Sequence, residues 1–181
     1  DPVVVGAGDI VNCGVNREEE TAKRLETISG TVITFGDSVY PDGSPQQFAD
    51  CYNASWGRHK SRTMPSVGNH EYHIAGAAGY FGYFGKAASP LDNNCTSNCK
   101  GYYSYNLGAW HIVVLNSEID MKTGSPQNQW LRADLADRIE DQLADLLTKA
   151  EEILRENRLG VLALAHALET HKTMAGEDVE A

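Results

Sequence analysis

The sequence predicts an α/β fold, and three features carry that expectation. Residues 3–6, 31–35 and 64–67 are short apolar runs rich in β-branched side chains, which read as buried strands. A polar stretch of helical composition, residues 17–26, separates the first two, the pattern of a βαβ unit in a parallel sheet. Each run ends at glycine followed by a polar side chain, in Gly8-Asp9, Gly36-Asp37 and Gly68-Asn69. Sites in such sheets gather at the carboxyl ends of the strands.

The later elements follow in order. Residues 76–85 are rich in glycine and tyrosine. Residues 102–107 and 110–115 flank Gly108-Ala109, a hairpin signal. Ser125-Pro126 opens a helix, with serine as N-cap and proline at the first helical position. From residue 137 the texture changes. Ile139, Leu143, Leu146, Leu147, Ala150, Ile153 and Leu154 keep helical spacing, with charges on the other face. Gly160 interrupts, residues 161–168 resume as apolar helix or buried strand, and Thr173 with Gly176-Glu177-Asp178-Val179 reads as the start of another helix. The expected organisation is one domain over residues 1–136 and a helical tail over 137–181.

Composition narrows the function classes. The 181 residues carry a net charge of −10, which argues against nonspecific nucleic-acid binding. Residues 137–181 hold −6 of it. No apolar run approaches the length of a membrane span. The chain opens on Asp1-Pro2-Val3 with no signal-peptide pattern, which reads as a mature or trimmed start. Four cysteines fall in the first hundred residues. For Cys95-Thr96-Ser97-Asn98-Cys99 a local disulfide is favoured over a zinc pair or free thiols, and it would imply an oxidising compartment. Asn53-Ala54-Ser55 and Asn94-Cys95-Thr96 fit the glycosylation triplet.

The three strand ends carry the chemistry. Gly8-Asp9, Gly36-Asp37-Ser38-Val39-Tyr40 and Gly68-Asn69-His70-Glu71 each pair a glycine, which permits a sharp turn, with oxygen or nitrogen ligands. Hard and borderline cations take carboxylate, phenolate, amide and imidazole ligands. Two such ions bridged by a carboxylate polarise phosphoryl oxygens and yield hydroxide near neutral pH. Elsewhere His59, beside Arg58, Lys60 and Arg62, reads as a solvated loop rather than an anion site. His111 reads as a packed strand residue. No Gly-x-Ser-x-Gly elbow is present.

Gly-Asp, Gly-Asp-x-x-Tyr and Gly-Asn-His-Glu, in that order, resemble the calcineurin-like metallophosphoesterase superfamily, and Tyr40 points to its purple acid phosphatase branch. The likeness extends from about residue 3 to 135 through Tyr80-Phe81, Gly101-Tyr102-Tyr103-Ser104-Tyr105, Leu115-Asn116-Ser117 and Gln129-Trp130-Leu131. It implies the larger part of a four-layer α/β/β/α sandwich, incomplete at its end, with a helical appendage. It implies a phosphoric monoester hydrolase acting on a small phosphomonoester, with two ions, iron with zinc, manganese or iron, in a secreted or periplasmic setting. Asp9 and Tyr40 would bind the first ion, Asp37 would bridge, and Asn69 would bind the second. His70 would contact phosphate and protonate the leaving group, Glu71 would orient His70, and His73 would line the cleft.

The family also uses three later histidines, two of them in Gly-His-x-His, and that motif does not occur in this sequence. His166 would supply one ligand if residues 161–165 formed the late strand. The competing reading is that residues 137–181 resemble the carboxyl-terminal helices of FtsH-type ATP-dependent zinc proteases, through Ala150-Glu151-Glu152-Ile153-Leu154-Arg155-Glu156-Asn157-Arg158 and Leu162-Ala163-Leu164-Ala165-His166-Ala167-Leu168. The alternatives to an active phosphatase are then an inactive truncated or chimeric fragment, or a helical assembly module.

Overall fold

The computed structural model describes residues 2–15 and 17–171. The chain divides into two compact units, Asp1–Arg132 and Ala133–Ala181. Among the described residues it is a mixed α/β structure with three small sheets.

In the first unit, β1 (Val4–Ala7), helix α1 (Glu18–Glu26) and β3 (Thr31–Thr34) form the expected βαβ unit; β2 (Val11–Asn12) follows β1 directly. β1, β3 and β5 (Thr63–Met64) make a parallel sheet with β3 in the middle. Beyond their ends, β2 pairs in parallel with β4 (Val39–Tyr40), Val11 opposite Val39. The third run is shorter than expected, because strand pairing stops before Pro65, which has no amide to donate. Residues 3–6 are also less buried than expected, with Val3 and Val4 44% and 42% exposed. β1 is an edge strand, paired on one side only.

α1 carries Glu18, Glu19 and Glu20 in its first turn and Lys23 and Arg24 in its last, matching the helix dipole. Its inner face buries Ala22 and Leu25. The basic cluster expected to be a solvated loop is a 3₁₀ segment, Trp56–Arg62, that clasps this helix. Arg58 meets Glu19 and Glu26, both at 2.9 Å. His59 is buried with Nε2 at 3.1 Å from Ala22 O. Arg62 donates to the carbonyls of Leu25, Ile28 and Gly30 at 2.6, 2.9 and 2.7 Å.

Between β4 and that segment lie α2 (Pro45–Gln47), started by a capping box of Ser44 and Gln47, and a π turn over Phe48–Tyr52. With α3 (Ala78–Phe84) they enclose an aromatic core of Phe48, Tyr52, Tyr80, Phe81 and Phe84. Disulfides join Cys13 to Cys51 and Cys95 to Cys99, the second as the sequence suggested. The predicted hairpin is β6 (Tyr103–Leu107) and β7 (Trp110–Val114), with Leu107 opposite Trp110 across Gly108-Ala109.

Helix α4 (Pro126–Glu156) begins as predicted, with Asn128 N donating to Ser125 Oγ at 3.2 Å. It carries into the second unit, where α5 (Arg158–His171) follows after one residue. Helical hydrogen bonds cross the junction: Asn157 N to Ile153 O and Val161 N to Asn157 O, both 3.0 Å. Residues 161–165 are therefore helix, and the late strand that would have placed His166 at a sheet edge is not formed. Leucine and alanine dominate this stretch and are strong helix formers, which outweighs a cost of about 1 kcal/mol for Gly160. The helix start expected at Thr173 lies outside the described residues.

Candidate metal centre

The tips of the parallel strands are tied to one another by hydrogen bonds. Beyond β1 and β3 the chain turns at Asp9 and Asp37, whose φ angles are 51° and 49°. Aspartate tolerates this left-handed region better than most side chains. The glycines were expected to make these turns; at the first tip the aspartate itself does so, and at the second Gly36 (φ 87°) and Asp37 share the turn. Gly68 has another role. A Cβ there would lie 2.2 Å from Asp37 Oδ1 and 2.4 Å from Asp37 N, so the third tip can approach the second only without a side chain. Ile10 N donates to Asp37 O and Val11 N to Ser38 O, both at 3.1 Å, which sets the first two tips side by side.

The Tyr40 hydroxyl sits between two carboxylates. It bonds to Asp9 Oδ1 and lies 3.0 Å from Asp37 Oδ2. The bond to Asp9, then burial and the nearby Asp37, push this phenol well above its ordinary range. Asp37 Oδ1 accepts from His70 N at 3.0 Å. Asn69 is exposed between Gly68 and His70, whose amides are both bound within the cluster.

Glu71 is fully buried beneath these tips. Its Oε1 accepts from Ser38 N at 2.6 Å and Val39 N at 3.4 Å; its Oε2 accepts from Gly68 N at 2.8 Å and Asp37 N at 3.1 Å. Burial pushes the carboxyl up, and the amides of Gly68 and Ser38 oppose that shift. The expected role for Glu71, orienting His70, is corrected: its partners are backbone amides. The ring of His70 is held by Pro41 O, 2.7 Å from Nδ1. A carbonyl only accepts, so Nδ1 bears hydrogen and Nε2 is the atom left for proton exchange. Tyr40, His70 and His73 form a row of rings with centroid separations of 4.3 and 4.6 Å. His73 Nδ1 lies 3.2 Å from Asp42 Oδ1.

Of the residues singled out in the sequence, the structure brings Asp9, Asp37, Tyr40 and His70 into direct contact, with His73 alongside and Asn69 between two anchored amides. His166 lies on α5 in the second unit. Two supporting residues were missed. Pro41 acts through its carbonyl, which no sequence signal marks. Asp42 was accessible through the turn sequence Pro41-Asp42-Gly43. Asn116 is completely buried and holds Tyr72 Oη at 2.9 Å and Lys100 O at 3.0 Å through Nδ2.

The donor set suits a hard cation. The Tyr40 hydroxyl lies within hydrogen-bonding reach of both the Asp9 and the Asp37 carboxylate, and among the described residues neither carboxylate pairs with lysine or arginine. A second group, Asp92, Cys95 and Cys99, brings ligand atoms within 4.8 Å, but both sulfurs are spent on a disulfide.

The fold and this site define a class in outline, a carboxylate- and phenol-lined centre at the carboxyl ends of parallel strands. Comparison with known proteins narrows it. The chain is similar to purple acid phosphatase 23 of Arabidopsis thaliana, 26% identical over 121 residues, which cover 64% of this chain and 26% of that protein. It is similar to purple acid phosphatase 15 of the same plant, 29% identical over 111 residues, covering 49% and 21% respectively. The chain thus spans about a quarter of the length of these curated relatives. No family model matches the chain, and no solved structure matches it. The likeness of residues 137–181 to FtsH-type protease helices finds no support in these comparisons.

Proposed function

We propose that the first unit is a metallophosphoesterase-type domain whose strand tips bind metal ions and act on a small phosphomonoester. The observation that carries this reading is the sharing of the Tyr40 hydroxyl by Asp9 and Asp37 at the ends of adjacent parallel strands. The partial likeness to plant purple acid phosphatases supports it. On this reading the three small sheets are part of a larger sandwich. Two disulfides fit a secreted or periplasmic setting, and among the described residues no helix is long and apolar enough to cross a membrane.

Asp9, Asp37 and Tyr40 would hold one ion, and Asp37 with Asn69 would contribute to a second. Bound there, such ions supply Lewis-acid polarisation of the phosphoryl group and a nucleophile at neutral pH. The chain's own residues do the rest. Glu71 fixes the amides of the second and third tips, so the carboxylates are positioned before any ligand arrives. Pro41 O fixes the His70 ring and leaves Nε2 to carry a proton towards a leaving oxygen. His73, oriented by Asp42, extends the same wall.

A second reading has one specific observation in its favour. The helical state of residues 161–168 removes the late-strand histidine, which leaves Asp37 and Asn69 of the residues singled out for a second ion. The domain would then bind metal without turning substrate over. Metal content and hydrolysis of p-nitrophenyl phosphate with added iron, zinc or manganese separate the two. Stoichiometric metal with turnover, both lost in Asp37→Ala, supports the enzyme. Metal binding lost in Asp37→Ala, with no turnover in the parent chain, supports the second reading. No metal uptake at all overturns both.

A further inference from the structure

We propose that the helical unit is a self-association element in which residues 136–167 pair antiparallel with the same residues of a second copy of this chain. α4 and α5 are separated by the single turn residue Asn157, and the bonds from Asn157 N to Ile153 O and from Val161 N to Asn157 O link them, so residues 136–167 follow a helical path of about 48 Å at 1.5 Å per residue. Not one of residues 133–170 is buried. Leu143, Leu146, Leu147, Ile153 and Leu154 are 53–61% exposed. An apolar stripe of this length left in water marks an interaction surface.

The stripe has a seven-residue repeat. Ala136, Leu143, Ala150, Asn157 and Leu164 occupy one position, and Ile139, Leu146, Ile153, Gly160 and Ala167 the other. That is the alternating 3–4 spacing of a coiled-coil seam, kept for more than four heptads. A helix with the same repeat is the natural occupant of such a seam. The flanks decide direction. One flank is mainly apolar, with Leu147, Leu154, Val161 and Leu168 after Glu140; the other carries Gln142, Lys149 and Glu156 before Ala163. Parallel pairing would set each mainly apolar flank against the mainly polar flank of the partner, facing Leu154 with Lys149. Antiparallel pairing sets each flank against its own kind, with Glu140 the charged exception.

Register follows from charge and size. When the two-fold axis passes between residues 151 and 152, the whole stretch from 136 to 167 finds a partner. Lys149 then faces Glu156 of the other copy twice, and Leu147 faces Leu154 on the opposite flank. Within the seam Leu143 meets Gly160 and Ile153 meets Ala150, large against small as in interdigitating layers, while Leu146 meets Asn157, Ile139 meets Leu164 and Ala136 meets Ala167.

Sedimentation of the full chain over a range of concentrations tests this. A concentration-dependent dimer or higher even oligomer is expected, abolished by Leu146→Glu, with helicity and the first unit unchanged by circular dichroism. Lys149→Glu and Glu156→Lys should each weaken association several-fold, and the double charge swap should restore it. A chain that stays monomeric at every concentration overturns the proposal, as does a monomer recruited to phosphatidylcholine vesicles instead. Association indifferent to Leu146→Glu overturns it too. Single swaps that weaken association without rescue by the double swap overturn the antiparallel register.

Discussion

The buried carboxylate of Glu71 accepts the Ser38 amide at 2.6 Å, 33 residues away in sequence. Through this bond and those from Asp37, Val39 and Gly68, one side chain fastens the second strand tip to the third. Four donors converge on it, so the position calls for an acceptor without protons of its own on the facing edge.

Glu71→Gln keeps the shape but turns an amide NH₂ towards backbone donors. The unmatched pairs should cost about 1–3 kcal/mol or more, read as a lowered urea midpoint at unchanged m. Glu71→Ala, which also opens a cavity, should cost more than Glu71→Gln.

Gly68→Ala tests close approach. The new carbon would lie 2.2 Å from Asp37 Oδ1 and 2.4 Å from Asp37 N, a backbone atom that cannot yield. Metal affinity measured by titration calorimetry should fall at least about tenfold, the scale seen when groups supporting ligands are disturbed. Gly82→Ala is the control, because a Cβ there meets nothing within 4 Å.

The two disulfides should differ in worth. Cys13–Cys51 spans 38 residues and Cys95–Cys99 only 4. Loop-closure entropy gives about 4 kcal/mol for the first and about 2 kcal/mol for the second. Replacing each pair by serine and comparing denaturant midpoints checks the order.

Asp92 gives a pH signature. Burial works to raise its carboxyl, but the hydroxyl of Ser89 and the backbone amide and ammonium of Lys100 prevail and hold it below the ordinary 3.8. A depressed folded value means stability present above the unfolded pKa and lost as pH falls through the folded one. The parent chain should therefore lose stability relative to Asp92→Asn as pH drops from about 4. A difference that stays flat down to the acid limit would contradict the assignment.

How far the sequence foretold this can be judged residue by residue. The glycine-led motifs at 8–9, 36–40 and 68–71 were legible because short-range turn chemistry and strand periodicity placed them at strand ends. The hairpin and the Ser125 cap were legible for the same local reason. Three features were not. Glu71 looked like a neighbour for His70, yet three of its four partners lie over 30 residues away, and long-range backbone acceptance leaves no local trace. Arg58, His59 and Arg62 looked like a solvated basic patch because their carboxylate and carbonyl partners sit on α1 and the turn after it. Residues 161–168 were ambiguous because a short apolar run suits a buried strand as well as a helix, and only their place inside α5 decides it.

Arg62 has one more consequence. Its guanidinium closes off the carbonyls of Leu25, Ile28 and Gly30, at the end of α1 and in the turn that leads into β3. The first crossover therefore borrows its terminating cap from the segment that delivers the next strand. Of these acceptors Leu25 O also takes the local amide of Ile28, while the carbonyls of Ile28 and Gly30 are left to water until a donor more than 30 positions downstream arrives. The parallel sheet should assemble in one concerted, non-local step, with the slower kinetics that such wiring brings.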